Sequence, residues 1–181
     1  MPHIMLDLET LDTKVSSVVL SIGAVAFNPE TKTLGDRFYL ELVGDLEMQQ
    51  LKGRTIGVDT VRWWMQQDQK ARELFTGINE HQSYTEAALT SFSQFVADQG
   101  RDACVWGNGV DFDNAIMRSL YDSFGYPHPW RHTHDRCYRT VKNMLGSGIP
   151  LLREGTHHNA LDDAVSQAKH LMEILSCVKS Q

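Results

Sequence analysis

The chain opens with a short apolar run that ends in two acidic residues, Ile4-Met5-Leu6-Asp7-Leu8-Glu9-Thr10. In a strand, side chains two positions apart point the same way, so Asp7 and Glu9 share one side while Leu6 and Leu8 share the other. Apolar residues on both sides predict a strand covered on both faces. Two carboxylates directed at one place indicate a metal site, and the alternative is an acidic strand end that meets solvent.

The overall composition fits a folded protein with a net negative charge. The sequence has 181 residues, 41% of them hydrophobic, and a formal net charge of -6. We expect one globular domain over residues 1–181. The absence of a long apolar run and of a secretory signal favours a cytoplasmic protein with no membrane contact. The charge argues against binding nucleic acid through bulk positive charge, whereas an enzyme whose acids hold cations is compatible with it.

The first part of the chain predicts three consecutive strands. Residues 18–27 are rich in β-branched side chains and predict a second strand after the opening one. A turn cluster occupies residues 28–32, and residues 36–43 alternate apolar and polar side chains. The three strands are therefore predicted to form an antiparallel meander. Residues 44–57 lack a clear period and are predicted to be a loop near the mouth of the site.

A helix is predicted to begin at Asp59. Val61, Trp64 and Met65 have the i, i+3, i+4 spacing of one helix face. The adjacent Trp63 and Trp64 could stack on nucleic-acid bases. Tryptophans at helical spacing are more often core residues, because each buries a large apolar area, and Trp64 is predicted to be one.

Helices and strands alternate in the rest of the chain. Residues 83–86 fit a capping box, which predicts a helix from there to about residue 99. Residues 103–107 predict a fourth strand that turns directly into another helix. A three-stranded meander followed by alternating helices and strands predicts an α/β fold, in which a mixed sheet carries helices on its faces.

A second candidate acid lies where the fourth strand turns into its helix. On that helix Asp113 lies on the same face as Ile116, Met117 and Leu120, so one acid begins an apolar stripe. A carboxylate that faces a core is costly unless it is paired or binds a metal. Asp111, nearer the start of the helix, is explained as a cap. Asp113 is therefore assigned to function and Asp111 to structure.

A third candidate group begins the last long helix. At about 100° per residue, Asp163 borders the apolar face of this helix, whereas Asp162 lies nearly opposite and is expected to meet water. Both acids also lie in the first turn, where the helix dipole favours negative charge, which is a structural explanation for them. Asn159 is predicted to be the cap. His158 precedes it on the incoming loop and suits a general base with a pKa near neutrality.

Together these groups resemble the three exonuclease motifs of the DEDD superfamily, in its histidine-containing DEDDh branch. The blocks are Asp7-Leu8-Glu9-Thr10, then Trp106-Gly107-Asn108-Gly109 with Phe112-Asp113, then His158-Asn159-Ala160-Leu161-Asp162-Asp163-Ala164. The last block fits the family pattern His-x-Ala-x-x-Asp, which by register selects His158 over His157 and Asp163 over Asp162. The chain is most similar to compact RNase T-like enzymes of bacteria and phages. Its Trp-Gly-Asn-Gly segment departs from the His-Asn-Ala-x-Phe-Asp of many members, which leaves the choice between RNA and DNA open.

The resemblance implies a fold, a reaction and a set of roles. The fold is ribonuclease H-like, with a mixed five-stranded sheet and helices on both faces. The reaction is 3′-5′ hydrolysis of single-stranded RNA or DNA ends, releasing nucleoside 5′-monophosphates. Two Mg²⁺ ions, replaceable by Mn²⁺, would lie about 3.5 to 4 Å apart. Asp7 would bridge them, Glu9 and Asp163 would hold the first ion, Asp113 the second, and His158 would take a proton from water.

The same resemblance gives weaker indications about substrate and partners. Thr10 and Leu11 would touch the terminal sugar and base, and many RNase T-like relatives form homodimers. Basic side chains that could hold the phosphate backbone, or could simply be solvated, are Arg54, Arg62, Arg136, Arg139 and Lys142.

Two alternatives compete with the exonuclease. One is a catalytically inactive nucleic-acid binding module with the same ribonuclease H-like fold, which would lack one of the acids or the histidine. The other is a zinc protein built on the histidines and cysteine of residues 132–137, or on His157 and His158. Neither zinc cluster has the usual paired ligand spacing.

Overall fold

The fold is a five-stranded mixed sheet, seen in a computed structural model that describes residues 2–75, 80–100 and 102–179. The strand order is β3-β2-β1-β4-β5. The first three strands pair antiparallel, and β4 and β5 continue the sheet in parallel with β1. The predicted meander and mixed sheet are confirmed. The strands are β1 (His3–Thr10), β2 (Val19–Asn28), β3 (Thr33–Glu41), β4 (Cys104–Gly107) and β5 (Asp135–Cys137).

Seven α-helices accompany the sheet in the described part of the chain. They are α1 (Leu46–Leu51), α2 (Val58–Gln66), α3 (Gln69–Arg72), α4 (Thr85–Gln99), α5 (Ala115–Phe124), α6 (Tyr138–Leu145) and α7 (Ala160–Lys179). Three-residue 3₁₀ turns precede α1, follow α3 and precede β5, and a wider helical turn, Val110–Asn114, precedes α5. Among these helices none combines the length and the apolarity that crossing a bilayer requires.

Both faces of β1 are covered, as its apolar pattern predicts. Ile4, Leu6 and Leu8 pack in one core with buried residues of α4 and α5. Met5 packs on the opposite face in a second core, against α7 and α6. Alternation along the strand then directs Asp7 and Glu9 towards the face that α7 covers. The helices on both faces of the sheet are confirmed.

A third, smaller core secures the end of β1 to α2. Trp64 is buried in it beside Leu11, and its indole Nε1 donates a hydrogen bond of 2.9 Å to the carbonyl oxygen of Thr10. The prediction that Trp64 is a core residue is confirmed. Met65, which has the spacing of the same helix face, is 71% exposed. The helix therefore presents a narrower apolar face than its sequence suggests.

Two local predictions are wrong because long-range contacts replace local ones. Residues 44–57 are not simply a loop, since they contain α1. Ser83 does not cap α4, and its hydroxyl donates instead to the carbonyl oxygen of Tyr84. The carboxylate of Asp45 accepts the Thr85 N–H at 2.8 Å, so an acid from a distant turn serves the start of α4.

Candidate active site

The first two acids lie on β1, next to a close approach between the sheet and α7. Asp7 pairs in register with Gly23 of β2. A Cβ atom on Gly23 would lie 2.1 Å from the backbone carbon of Ala160, so only glycine lets α7 begin directly above the sheet. The first turn of α7 therefore lies beside the side chains of Asp7 and Glu9.

That first turn brings Asp163 to the acids of β1. Carboxylate oxygens of Asp7, Glu9 and Asp163 lie within 4.8 Å of one another. Further along α7, the amide of Gln167 donates to Asp7 Oδ1 at 2.7 Å and holds that carboxylate in place. The structure thus brings together two sequence motifs that are separated by more than half of the chain.

The two neighbouring acids of α7 have different partners. Asp162 is half-buried and accepts a hydrogen bond of 2.6 Å from the Thr156 N–H, so it does not simply meet water as predicted. Asp163 is buried and is the one that meets the β1 acids. The predicted cap is confirmed, because Asn159 Oδ1 accepts the N–H groups of Leu161 and Asp162 at 3.1 Å.

Asp113 is buried in the wide turn before α5, with 2% of its surface exposed. Its Oδ2 atom is buried and has no hydrogen-bond partner. Asp111 is exposed, and its predicted capping role is wrong because neither the turn nor α5 has a side-chain cap. The turn closes instead on the Gly109 carbonyl oxygen, which accepts the N–H groups of Phe112 and Asp113.

The acids are electrostatically unfavourable as they stand. Burial raises the pKa of Asp7 well above its usual value, and the carboxylates of Asp113 and Glu9 raise it further. Burial and the nearby Asp163 raise the pKa of Glu9 to about 8. Burial also raises the pKa of Asp113 to about 7, although backbone hydrogen bonds oppose that shift. Like charges in a poorly hydrated site disfavour ionisation, and cations would relieve this cost.

The donor set fits a hard divalent cation. All the ligand atoms that Asp7, Glu9, Asp113 and Asp163 offer are carboxylate oxygens, which Mg²⁺ and Mn²⁺ prefer. The unpartnered oxygen of Asp113 and the convergence of the other acids are what such a site needs. For the zinc alternative, His157, His158 and Asp163 lie close enough to hold a metal ion together. Residues 132–137 form no comparable cluster among the described residues.

His158 lies at the rim of the acids in a constrained position. Its backbone is left-handed, with φ of 64°, and its N–H donates to Asp163 Oδ2 at 3.1 Å. The imidazole stacks on the His157 ring with 3.7 Å between the ring centroids. It also forms a T-shaped contact with the Trp63 ring, with 4.7 Å between the centroids. Burial lowers the pKa of His158, and His157 lowers it further. Both effects favour the neutral form of the ring.

Sequence reasoning named base stacking as a possibility for Trp63 and did not place it in the core or at the site. In the structure the two tryptophans have different environments. Trp64 is buried, whereas Trp63 is 40% exposed and packs against His158. The available signal was the pair itself, because two adjacent helical residues cannot both face the same core. Trp63 is thus part of the rim of the acid cluster.

Thr10 and Leu11, which follow Glu9, are both buried. The Thr10 hydroxyl donates to the Asp12 carbonyl oxygen at 3.0 Å, so it is occupied within the chain. Leu11 is 6% exposed and lines an apolar cavity of about 320 Å³ next to Trp64. Leu11 therefore borders an apolar space that a nucleobase could enter.

The basic candidates differ in where they lie. Arg54, one of the candidates for phosphate binding, is 5% exposed and donates to the Ser17 carbonyl oxygen and the Ser119 hydroxyl, so it is neither solvated nor placed to bind phosphate. Arg139 lies nearest the acids, because its Nη2 donates to the Asn108 carbonyl oxygen and its charge acts on Asp113. Sequence reasoning missed Arg153, which donates to Asp163 Oδ1 at 2.6 Å.

The remaining basic candidates contact other groups. The exposed Arg62 pairs with Asp59, Arg136 donates to the carbonyl oxygens of residues 133 and 135, and the Lys142 ammonium lies 5.6 Å above the Tyr138 ring.

Comparison with known proteins gives a family and a fold. The model of the Rv2179c-like family, described as a 3′-5′ exoribonuclease domain, matches residues 2–175. No curated protein matches the chain significantly. Among solved structures, the nuclease domain of 3′hExo, a DEDDh family member bound to rAMP, aligns with a TM-score of 0.63 and 11% identity. That alignment covers 97% of this chain and 92% of the other.

Two further structures have the same fold. Escherichia coli exonuclease I in complex with a dA16 oligonucleotide aligns with a TM-score of 0.63 and 14% identity, over 99% of this chain and 43% of its own. Cell-death related nuclease 4 aligns with a TM-score of 0.56 and 12% identity, over 97% of this chain and 64% of its own. This chain therefore spans less than half of exonuclease I, and likeness at such identities shows the fold alone.

Proposed function

We infer the function from one premise, which is that the chain belongs to the Rv2179c-like 3′-5′ exoribonuclease domain family. The DEDDh resemblance and the ribonuclease H-like fold are confirmed, and the chain is a 3′-5′ exonuclease that hydrolyses phosphodiester bonds. Exonucleases of this family depend on divalent metal ions. We propose that the substrate is the 3′ end of single-stranded RNA and that the products are nucleoside 5′-monophosphates.

One observation carries the proposal more than any other. Oxygens of Asp7, Glu9 and Asp163 converge within 4.8 Å, although these acids come from opposite ends of the sequence. Burying like charges together is costly, and a fold that keeps them there needs a compensating cation. Asp7, Glu9, Asp113 and Asp163 would hold two Mg²⁺ ions, for which Mn²⁺ can substitute. When bound, such ions lower the pKa of water and stabilise charge that develops at phosphorus.

The side chains around the acids have separate tasks in this proposal. Gln167 fixes the Asp7 carboxylate through its hydrogen bond. A ring nitrogen of the neutral His158 accepts a proton from the attacking water, and the Trp63 and His157 rings keep the imidazole in one orientation. Leu11, beside its apolar cavity, contacts the terminal base. The contact of Thr10 with the terminal sugar, the homodimer and the cytoplasmic location stay predictions.

The reaction can be tested with labelled oligonucleotides. RNA and DNA of one sequence, labelled at the 5′ end, are incubated with Mg²⁺, with Mn²⁺ or with EDTA, and the products are separated on a gel. We expect a ladder that shortens from the 3′ end with either metal ion, faster on RNA, and no cleavage in EDTA. His158→Ala should abolish the ladder, whereas the matched change His132→Ala, at an exposed histidine, should not.

Two other outcomes would contradict parts of the proposal. Faster cleavage of DNA would contradict the RNA preference and leave the exonuclease reaction standing. Binding of both strands without cleavage under either metal ion would instead favour the catalytically inactive binding module.

A further inference from the structure

Arg153 lies on a short segment that is fastened to α7. This strap, residues 150–158, precedes α7 and runs along its first turns. Its Glu154 N–H donates to the Ser166 hydroxyl at 3.0 Å, and the Glu154 carboxylate pairs with the Lys169 ammonium at 2.5 Å. Gly155 has a left-handed φ of 73°, and a Cβ atom there would lie 2.2 Å from the Asp162 carboxyl group. The backbone that directly follows Arg153 is therefore held in place.

The Arg153 side chain ends on one of the acids of the site. Its Nη1 donates to Asp163 Oδ1 at 2.6 Å, while the other oxygen of Asp163 accepts the His158 N–H. The Arg153 side chain is 48% exposed and that of Asp163 only 11%. The arginine can therefore rotate into solvent without disturbing the core, whereas the carboxylate cannot leave its position.

The ion pair and a bound cation compete for the same carboxylate. Asp163 is one of the acids whose oxygens converge with those of Asp7 and Glu9. A divalent cation held there would lie against a guanidinium that is also positive, and such charges repel strongly in a partly buried site. Because the strap is fastened, a displaced guanidinium stays at the rim of the site.

Charge balance indicates what the displaced arginine then binds. Four carboxylates and two divalent cations cancel, so an incoming phosphodiester adds one negative charge that nothing else in the cluster offsets. A guanidinium matches phosphate oxygens with two parallel hydrogen bonds. We propose that Arg153 occupies Asp163 in the metal-free protein, leaves it when cations bind, and then binds a phosphate of the substrate. This inference rests on the proposed function.

The first part of the test measures cation affinity without catalysis. Mn²⁺ is titrated calorimetrically into the wild-type protein, Arg153→Gln, Arg153→Lys and Lys169→Gln. Lys169→Gln is the matched control, since it removes one positive charge from the strap contact without touching Asp163. We expect Arg153→Gln to bind Mn²⁺ several-fold more tightly, and Arg153→Lys and the control to resemble the wild type. Unchanged or weaker Mn²⁺ binding by Arg153→Gln would overturn the competition.

The second part measures the reaction on an oligoribonucleotide. We expect Arg153→Gln to raise KM about tenfold, which corresponds to about 1.4 kcal/mol, with a smaller change in kcat. Arg153→Lys should give an intermediate KM, because an ammonium keeps the charge and loses the two-pronged contact. An unchanged KM in Arg153→Gln would refute the phosphate contact. A wild-type protein that neither binds Mn²⁺ nor cleaves RNA would refute the proposed function itself, so the two failures are distinguishable.

Discussion

The sheet carries two kinds of buried acid, which differ in how many hydrogen-bond donors and cationic partners the protein provides for them. Asp135 on β5 accepts hydrogen bonds from Asn114 Nδ2 at 2.9 Å, from Arg118 Nη2 at 2.8 Å and from Trp130 Nε1 at 2.7 Å. Its negative charge is matched by the Arg118 guanidinium, and both side chains are less than a fifth exposed. Donors from three parts of the chain satisfy this carboxylate.

Two acids of the cluster beside α7, Asp7 and Asp113, lack a comparable cationic partner. Asp7 accepts one side-chain hydrogen bond, from Gln167, and its closest charged neighbours include the carboxylates of Glu9 and Asp113. An oxygen of Asp113 has no partner at all. A carboxylate saturated with protein donors stabilises the fold, whereas carboxylates left facing one another retain lone pairs for a cation. The comparison therefore separates a structural acid from the acids that we propose bind cations.

The largest effect is expected when one acid of the cluster is neutralised. Asp7→Asn should lower the rate of RNA cleavage by about 10³-fold, near the upper end for removing one electrostatic stabiliser. In EDTA the same variant should melt no lower than the wild type, because it removes a buried like charge. Initial rates and thermal melting curves measure both quantities. A marked loss of stability in EDTA would show that Asp7 is structural and would remove the contrast with Asp135.

The reverse pattern is expected at Asp135. Asp135→Asn should lower the free energy of unfolding by about 2 kcal/mol, because it removes the charge opposite Arg118 and puts an amide donor among donors. Below its melting temperature the variant should keep activity within about tenfold of the wild type, since it acts only through Asn114. Urea unfolding and initial rates test this. A free energy of unfolding equal to that of the wild type would contradict the structural role of Asp135.

A smaller effect is expected from pH on the metal-free protein. Glu9, with a pKa of about 8, and Asp113, with a pKa of about 7, keep protons in the folded state that the unfolded chain loses near its usual carboxyl pKa. The folded state therefore binds more protons between about pH 4.5 and 8, and its stability should fall as the pH rises through that window. The melting temperature in EDTA should drop by at least about 5 °C from pH 5 to pH 8.

The control for the pH effect is Glu9→Gln, which cannot titrate. Its melting temperature should depend less on pH than that of the wild type, whereas Asp135→Asn should keep the wild-type dependence. Equal slopes in the wild type and Glu9→Gln would show that the cluster acids are ionised in the metal-free fold.

Helix periodicity was sufficient to predict much of the site. It selected Asp113 over Asp111 and Asp163 over Asp162, because the position of a residue around a helix is fixed by its number. The convergence of these acids with Asp7 then follows from the order of strands and helices. Periodicity shows on which face of a helix or strand a residue lies, and in this protein that face determines which acids come together.

Irregular and distant contacts could not be predicted in the same way. Arg153 reaches Asp163 from a segment without a helix or strand period. Arg54 is buried by carbonyl oxygens of a turn 37 residues away in sequence, and Asp45 serves a helix that begins 40 residues later. β5 has only three residues, which is too few for an alternating pattern. Each of these features depends on tertiary packing that no local pattern encodes.

The most direct test of the contrast is the count of protons released when Mn²⁺ binds at pH 7. Cations can take the cluster only if Glu9 and Asp113 lose the protons that their raised pKa values retain. Calorimetric titration in two buffers of different ionisation enthalpy gives that count. The account predicts saturable binding with release of at least about one proton per chain, and neither binding nor release in Asp7→Asn. Binding without proton release, or no binding by the wild type, would contradict it.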